Sequence, residues 1–153
     1  MLSEFLKPEN IGLFKQLLLA LILGAAIGVE REVAHKSAGM RTHALVALGS
    51  ALFTIISQSL VGPTIDPTRI AAQIVTGIGF LGAGMIVFDQ SRVKGLTTAA
   101  GVWTAAAIGM AVGFNLNALA IFASILTILV FVVLWPIERR VVKKFSMRED
   151  GND

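Results

Sequence analysis

The chain has 153 residues, 55% hydrophobic and 15% charged, and its mean hydropathy of +0.77 is too apolar for an ordinary soluble domain of this length. Its pI near 9.7 comes from Lys and Arg held in short loops and a tail, so no nucleic-acid role follows from the basic charge. Cysteine is absent, which excludes disulfides and thiolate metal sites.

Leu2, Phe5 and Leu6 read as a short interfacial helix or a loose terminus ending at Pro8. Residues 11–29 form the first predicted span, with Lys15 near its start, where a long side chain snorkels to the interface. Small residues at Gly24-Ala25-Ala26 resemble a signal cleavage site. The segment runs on to Val29, however, and closes on Glu30-Arg31-Glu32, which is a membrane-exit pattern. Residues 42–61, 70–88, 96–114 and 116–135 are free of Asp, Glu, Lys and Arg. As helices each spans about 30 Å of hydrocarbon.

The third span follows Asp66-Pro67-Thr68-Arg69, a helix start in which Asp66 caps orphan amides and Pro67 loses no hydrogen bond; Arg69 remains in the external loop. Spans four and five are joined by little more than Asn115-Leu116-Asn117, which makes them antiparallel neighbours. Trp135 sits at interfacial depth and Pro136 marks a kink or stop. The expected architecture is an all-α integral membrane bundle of about five helices: a transmembrane domain over residues 1–136 and a short basic tail over 137–153. Ten of the thirteen Lys and Arg fall in the loops 30–41 and 89–94 and in the tail, so the positive-inside rule places the N-terminus outside and the C-terminus in the cytoplasm.

Glycine patterning is the strongest internal signal. Ala20, Gly24 and Gly28 recur every four residues in span one, as do Gly101, Ala105, Gly109 and Gly113 in span four. In span three Ile70, Ile74, Ile78, Leu81 and Met85 make a stripe of large side chains. Ala72, Thr76, Gly79 and Ala83, with Gly82 at the edge, make a small stripe, and Gln73, Gly77 and Gly84 another. Helices in lipid associate through close packing at small residues, so two small faces predict close neighbours on two sides. The stretch Gly77 to Gly82 also fits GxGxxG, but a nucleotide site needs a preceding strand and a ribose-binding acid about twenty residues on, and an uncharged span supplies neither. Unwinding of this stretch at mid-membrane is the other role open to the glycines.

Four ordered blocks, GVERE at 28–32, GMRTHALV at 39–46, GIGFLGAG at 77–84 and GLTTAAGVW at 95–103, resemble the signature blocks of the bacterial MgtC/SapB membrane proteins over about residues 18–117. The resemblance implies an inner-membrane protein with a hydrophobic domain of about five helices, here in a short form without the C-terminal soluble domain of some relatives. It also implies a link to magnesium limitation, acid stress or virulence. In that family the best-known branch works as a regulator that binds membrane proteins, including the ATP synthase or a transporter.

Glu30, Arg31, Glu32, Arg41, His43 and Asp89 form the candidate polar network on the cytoplasmic side, with Glu30 paired to Arg31 or Arg41. Their plain alternative is interfacial anchoring. A magnesium site from Glu30, Glu32, Asp89, His35 and His43 is disfavoured because nothing in their spacing forces them together, and the histidines read as loop residues. No cofactor is expected. Gln58, Gln73, Thr76, Thr97, Thr98 and Thr104 read as interhelical hydrogen-bonding groups before pore-lining ones. Enzyme chemistry is the weakest class and none is expected: no span holds an acid and base at contact spacing, and GxSxG, HExxH, cysteine and tyrosine are absent from the sequence. The expectation is therefore a membrane interaction or regulatory protein embedded in the bilayer, homo-oligomeric through its small-residue faces, with a small-ion channel or transporter as the alternative.

Overall fold

The computed structural model describes residues 7–60, 66, 68–89 and 92–137; the terminal segment around Leu2, Phe5 and Leu6, Pro67 and nearly all of the basic tail lie outside them. Five helices follow in order: α1 Pro8–Val33, α2 Met40–Ser59, α3 Thr68–Gly84, α4 Leu96–Gly113 and α5 Asn117–Leu129. Four of these, α5 together with the helical turns after it, are long and apolar enough to cross a membrane.

α3 is the exception. The span expected over 70–88 stops being helical at Gly84, after 17 residues, and the chain turns through Met85 into an antiparallel hairpin, β1 Val87–Asp89 and β2 Arg92–Lys94. Apart from these two three-residue strands the elements are helical, as the sequence leads one to expect. Gly95 explains why the hairpin folds back so tightly: its φ is +91°, and a Cβ there would lie 2.0 Å from the carbonyl oxygen of Met85.

Both α1 and α4 end in a left-handed residue that satisfies the last carbonyls. After α1, His35 has φ 54° and the Lys36 amide donates to Arg31 O at 2.9 Å; after α4, Asn115 has φ 61° and the Leu116 amide donates to Ala111 O at 2.8 Å. The short α4–α5 connection follows directly from that second turn. Beyond Leu129 the helix widens into a π segment, Val130–Leu134. Pro136 supplies the reason: it has no N–H to give the Val132 carbonyl, and its ring crowds the preceding turn. Pro136 thus neither stops the helix nor leaves it regular, since helix resumes over residues 135–137.

α4 is the hub and packs on all four other helices, while α2 packs on α1, α3 and α4. The interior is built from small and β-branched residues, with Ala20, Ile27, Ala51, Ile108, Val112, Ala120 and Phe131 in one cluster and Ile74, Ile78 and Ala106 in another. Large apolar side chains such as Leu18, Phe80 and Phe122 point outward. This inside-out distribution suits a bilayer, where hydrocarbon solvates Leu and Phe and close approach of backbones holds the helices.

Gly24 and Gly28 sit where α1 meets α2: a Cβ on Gly24 would be 2.5 Å from His43 O, and one on Gly28 would be 2.4 Å from Met40 Cα. Gly109 and Gly113 do the same between α4 and α2, at 2.1 Å from Ala47 O and 2.6 Å from Thr54 Cβ. α3 behaves differently and corrects the stripe reading. Its buried face is Ala71, Ile74, Ile78 and Gly82. Among the described residues, a Cβ on Gly77, Gly79 or Gly84 would meet nothing within 4 Å, and one on Gly82 only Ala99 Cβ at 3.8 Å. The isoleucines face inward because the surface they meet on α4, at Ala99 and Ala106, is itself small, and large side chains fill that groove better than a second small face would.

At the start of α3, Asp66 Oδ1 accepts from the Thr68 amide at 2.9 Å and from its hydroxyl at 2.7 Å, while Arg69 is exposed. Those two bonds, the amide foremost, hold the Asp66 carboxyl below its ordinary range. A depressed folded pKa means that the cap's contribution is present above the unfolded value of about 3.9 and is lost as pH falls through the lowered folded value. Protection of the Thr68 amide, its exchange rate relative to the intrinsic rate at each pH, is expected to fall only in that acid window, and Asp66→Ala to give the low protection at every pH. Protection in the parent that ignores pH across the window would dismiss the cap.

Candidate functional site

The α1–α2 connection and the hairpin lie at the same end of the bundle, because Gly28 meets Met40, His43 meets Gly101 and Gly82 meets Ala99. The last turns of α1 carry Glu30, Arg31 and Glu32 into this end. Arg31 is 4% exposed, turned into the bundle rather than out to water. Its Nε and Nη2 donate to the two Glu30 oxygens, the latter at 2.7 Å, in the fork geometry that suits guanidinium and carboxylate. The other side of the guanidinium is covered by Phe131, with Arg31 Cζ 3.8 Å from the ring centroid.

Arg41, the other partner weighed for Glu30, is exposed near the start of α2 and takes no part in this pair. Glu32 does something else: its Oε2 accepts from the Met40 amide at 2.9 Å, so a carboxylate at the end of α1 caps the first turn of α2. Gly39, at the N-cap position, has no side chain to do this, and a Cβ there would collide with Glu32 Oε2. Asp89 also stands apart, exposed on β1 and paired with Lys94 across the hairpin. The six-residue polar network therefore divides into a buried pair, a cap, an exposed arginine, a hairpin pair and His43.

His43 corrects the loop reading. It lies on α2 and is wholly buried. Nδ1 is 3.0 Å from Gly39 O, and because a carbonyl only accepts, Nδ1 carries the proton. Among the described residues Nε2 has no hydrogen-bond partner. It faces Gly101, where a Cβ would stand 3.3 Å from Nε2 and 2.9 Å from Phe131 Cζ. Gly101 thus makes room both for the Phe131 ring, which covers Arg31, and for the His43 imidazole. Thr98, one turn earlier on α4, is buried beside this layer. His35 is exposed in the left-handed turn after α1.

Sequence reasoning missed Phe131 and Gly39. The signals were available: a charged residue turned inward needs cover, and Pro136 five residues after Phe131 disturbs the turn that carries it. Among the described residues no three of His, Asp and Glu converge to share a metal ion. The threonines are mostly spent locally, Thr54 donating to Ser50 O at 2.8 Å and Thr104 to Ala100 O at 2.8 Å, whereas Gln58 Nε2 reaches from α2 to Gly113 O on α4 at 2.6 Å.

The model of the family described as MgtC family matches residues 17–140. The chain is 46% identical over 136 residues to the Escherichia coli K12 protein called "Putative magnesium transporter YhiD", covering 84% of this chain and 63% of that protein. It is 48% identical over 118 residues to the protein called MgtC of Brucella abortus strain 2308, covering 77% and 49% respectively. A Haemophilus influenzae protein with no assigned role is 39% identical over 157 residues, covering 97% and 66%. The chain spans between about half and two thirds of the length of these curated relatives. No solved structure matches it.

Proposed function

This chain belongs to the MgtC family, and from that membership we propose that it is a magnesium-related regulatory protein of the bacterial inner membrane, acting through helix contacts with itself or a membrane partner. The observation that carries the reading is the outer face of α3. Among the described residues Gly77, Gly79 and Gly84 have open space, whereas Gly24 and Gly28 of α1 and Gly109 and Gly113 of α4 sit in close contact, and Phe80 beside them is 81% exposed. A helix surface of this shape gains from the close approach of another helix.

In this reading the charged end faces the cytoplasm, as the positive-inside rule requires for Arg31, Lys36, Arg41, Arg92 and Lys94. A transporter or the ATP synthase is the kind of partner that the family resemblance suggests. A small-ion path for magnesium or protons is the second reading, favoured by one observation: the unpartnered Nε2 of buried His43 beside the Glu30–Arg31 pair.

Cross-linking and proteoliposome flux separate the two. Under the proposal, cysteines placed at Gly77 or Gly84 cross-link to a second copy or to a co-purifying membrane protein in native membranes. Gly77→Leu abolishes the cross-link from position 84 while leaving the monomer's melting temperature unchanged. Magnesium or proton flux that survives Gly77→Leu but is lost in His43→Leu would replace the proposal with the second reading.

A further inference from the structure

At the end of the bundle opposite the charged layer, a crevice of about 550 Å³ opens between α1, the end of α2 and the α4–α5 turn. We propose that it is a binding site for a phospholipid carrying a primary ammonium group, a phosphoethanolamine headgroup held by its phosphate on Lys15 and by its ammonium on side-chain amide oxygens. The site is separate from the open face of α3, and the proposal stands whether or not that face docks a partner.

The amides are oriented by the protein. Gln58 Nε2 donates to Gly113 O at 2.6 Å, and Asn117 Nδ2 donates to Asn115 Oδ1 at 3.1 Å, the oxygen that Gln16 Nε2 also approaches at 3.4 Å. Each amide thus commits its nitrogen, which leaves its oxygen side to be satisfied from elsewhere. Among the described residues no hydrogen bond engages Gln16 Oε1 or Gln58 Oε1, and Asn117 Oδ1 is buried with no partner at all. Gln16 and Gln58 line the crevice with accessible side chains, so their oxygens are open to a hydrogen-bond donor seated there.

Lys15 decides which donor. Lys15 lines the same crevice, so a bare metal cation would meet a like charge nearby, and an isolated anion would meet the carbonyl dipoles. A headgroup with phosphate and ammonium a few bonds apart satisfies both. Depth and floor agree with a lipid. Lys15 lies seven residues past Pro8, about 10 Å along the helix, and its stem reaches back to the interface, while Leu13, Leu19 and Ile55 supply an apolar surface beneath the polar rim.

Native mass spectrometry of the delipidated full chain tests this with phosphatidylethanolamine, phosphatidylcholine and phosphatidylglycerol of identical acyl chains, plus free phosphoethanolamine. Expected is a preference of about tenfold for phosphatidylethanolamine over the other two lipids, because choline has no N–H to donate and glycerol no ammonium. Lys15→Met and Gln16→Leu, both changes at the crevice rim, should each remove that preference while the melting temperature without lipid stays at the parent value. Equal retention of the three lipids, a preference that survives Lys15→Met, or free phosphoethanolamine binding as tightly as the lipid would each overturn the proposal.

Discussion

Gly109→Ala is expected to unfold the bundle or to destabilise it by about 3 kcal/mol, the upper end of the usual cost of overpacking a core. The added Cβ would stand 2.1 Å from the carbonyl oxygen of Ala47, 2.8 Å from its carbonyl carbon and 2.9 Å from its Cα. All three are backbone atoms, so no rotamer change relieves the clash, and α2 must move away from α4. α4 packs on every other helix, and the displacement therefore spreads to contacts far from position 109. Gly77→Ala is the matched control. It meets nothing within 4 Å and should be neutral or stabilising by up to about 1 kcal/mol through helix propensity. Equilibrium unfolding in detergent micelles measures both, and a Gly109→Ala protein as stable as the parent would refute the α2–α4 contact.

Glu30→Gln should cost about 3 kcal/mol, because it strands a guanidinium that is nearly removed from water. Breaking one side of a buried ion pair typically costs about 3–5 kcal/mol. The low end is expected here, since the Glu30 side chain retains 19% of its exposure and water reaches that side of the pair, whereas Arg31 retains 5%. Phe131 holds the guanidinium in place but cannot replace the charge. Adding Arg31→Met to Glu30→Gln removes the stranded charge and leaves an apolar side chain of similar length under the ring, so the double variant should recover a large part of the loss. Arg41→Ala, by contrast, should stay within about 0.5 kcal/mol of the parent. A double-mutant cycle reads the coupling directly; additive single changes, or an Arg41 variant as damaged as the Glu30 one, would show that the pair lies elsewhere.

These two expectations come from opposite kinds of information. The Gly101, Ala105, Gly109, Gly113 repeat is visible in one dimension, because a four-residue spacing puts small residues on one face of any helix. That Ala47 is what the face meets is not visible there. The Glu30-Arg31-Glu32 cluster announces charge at a membrane boundary, yet neighbours in sequence point in different directions on a helix. Only the packing shows Arg31 turned inward with Glu30 folded onto it and Glu32 reaching forward to cap α2. Asp66 was readable in full, since a cap acts on the next few amides and needs no distant partner.

By itself the sequence determined what depends on neighbours along the chain: that the protein is a membrane-embedded helical bundle, where most helices begin and end, how α4 turns into α5, and which residues are small enough for close contact. The tertiary structure alone decided which face of α3 turns inward, that the third span gives way to a hairpin after Gly84, and that His43 is wholly buried while Phe131 covers Arg31. The physical reason lies in the solvent. In water, hydrophobicity sorts inside from outside and marks the buried face of a helix. In hydrocarbon that label is lost, and a face is chosen by how well its shape fits the helix opposite, which is information held by two segments at once.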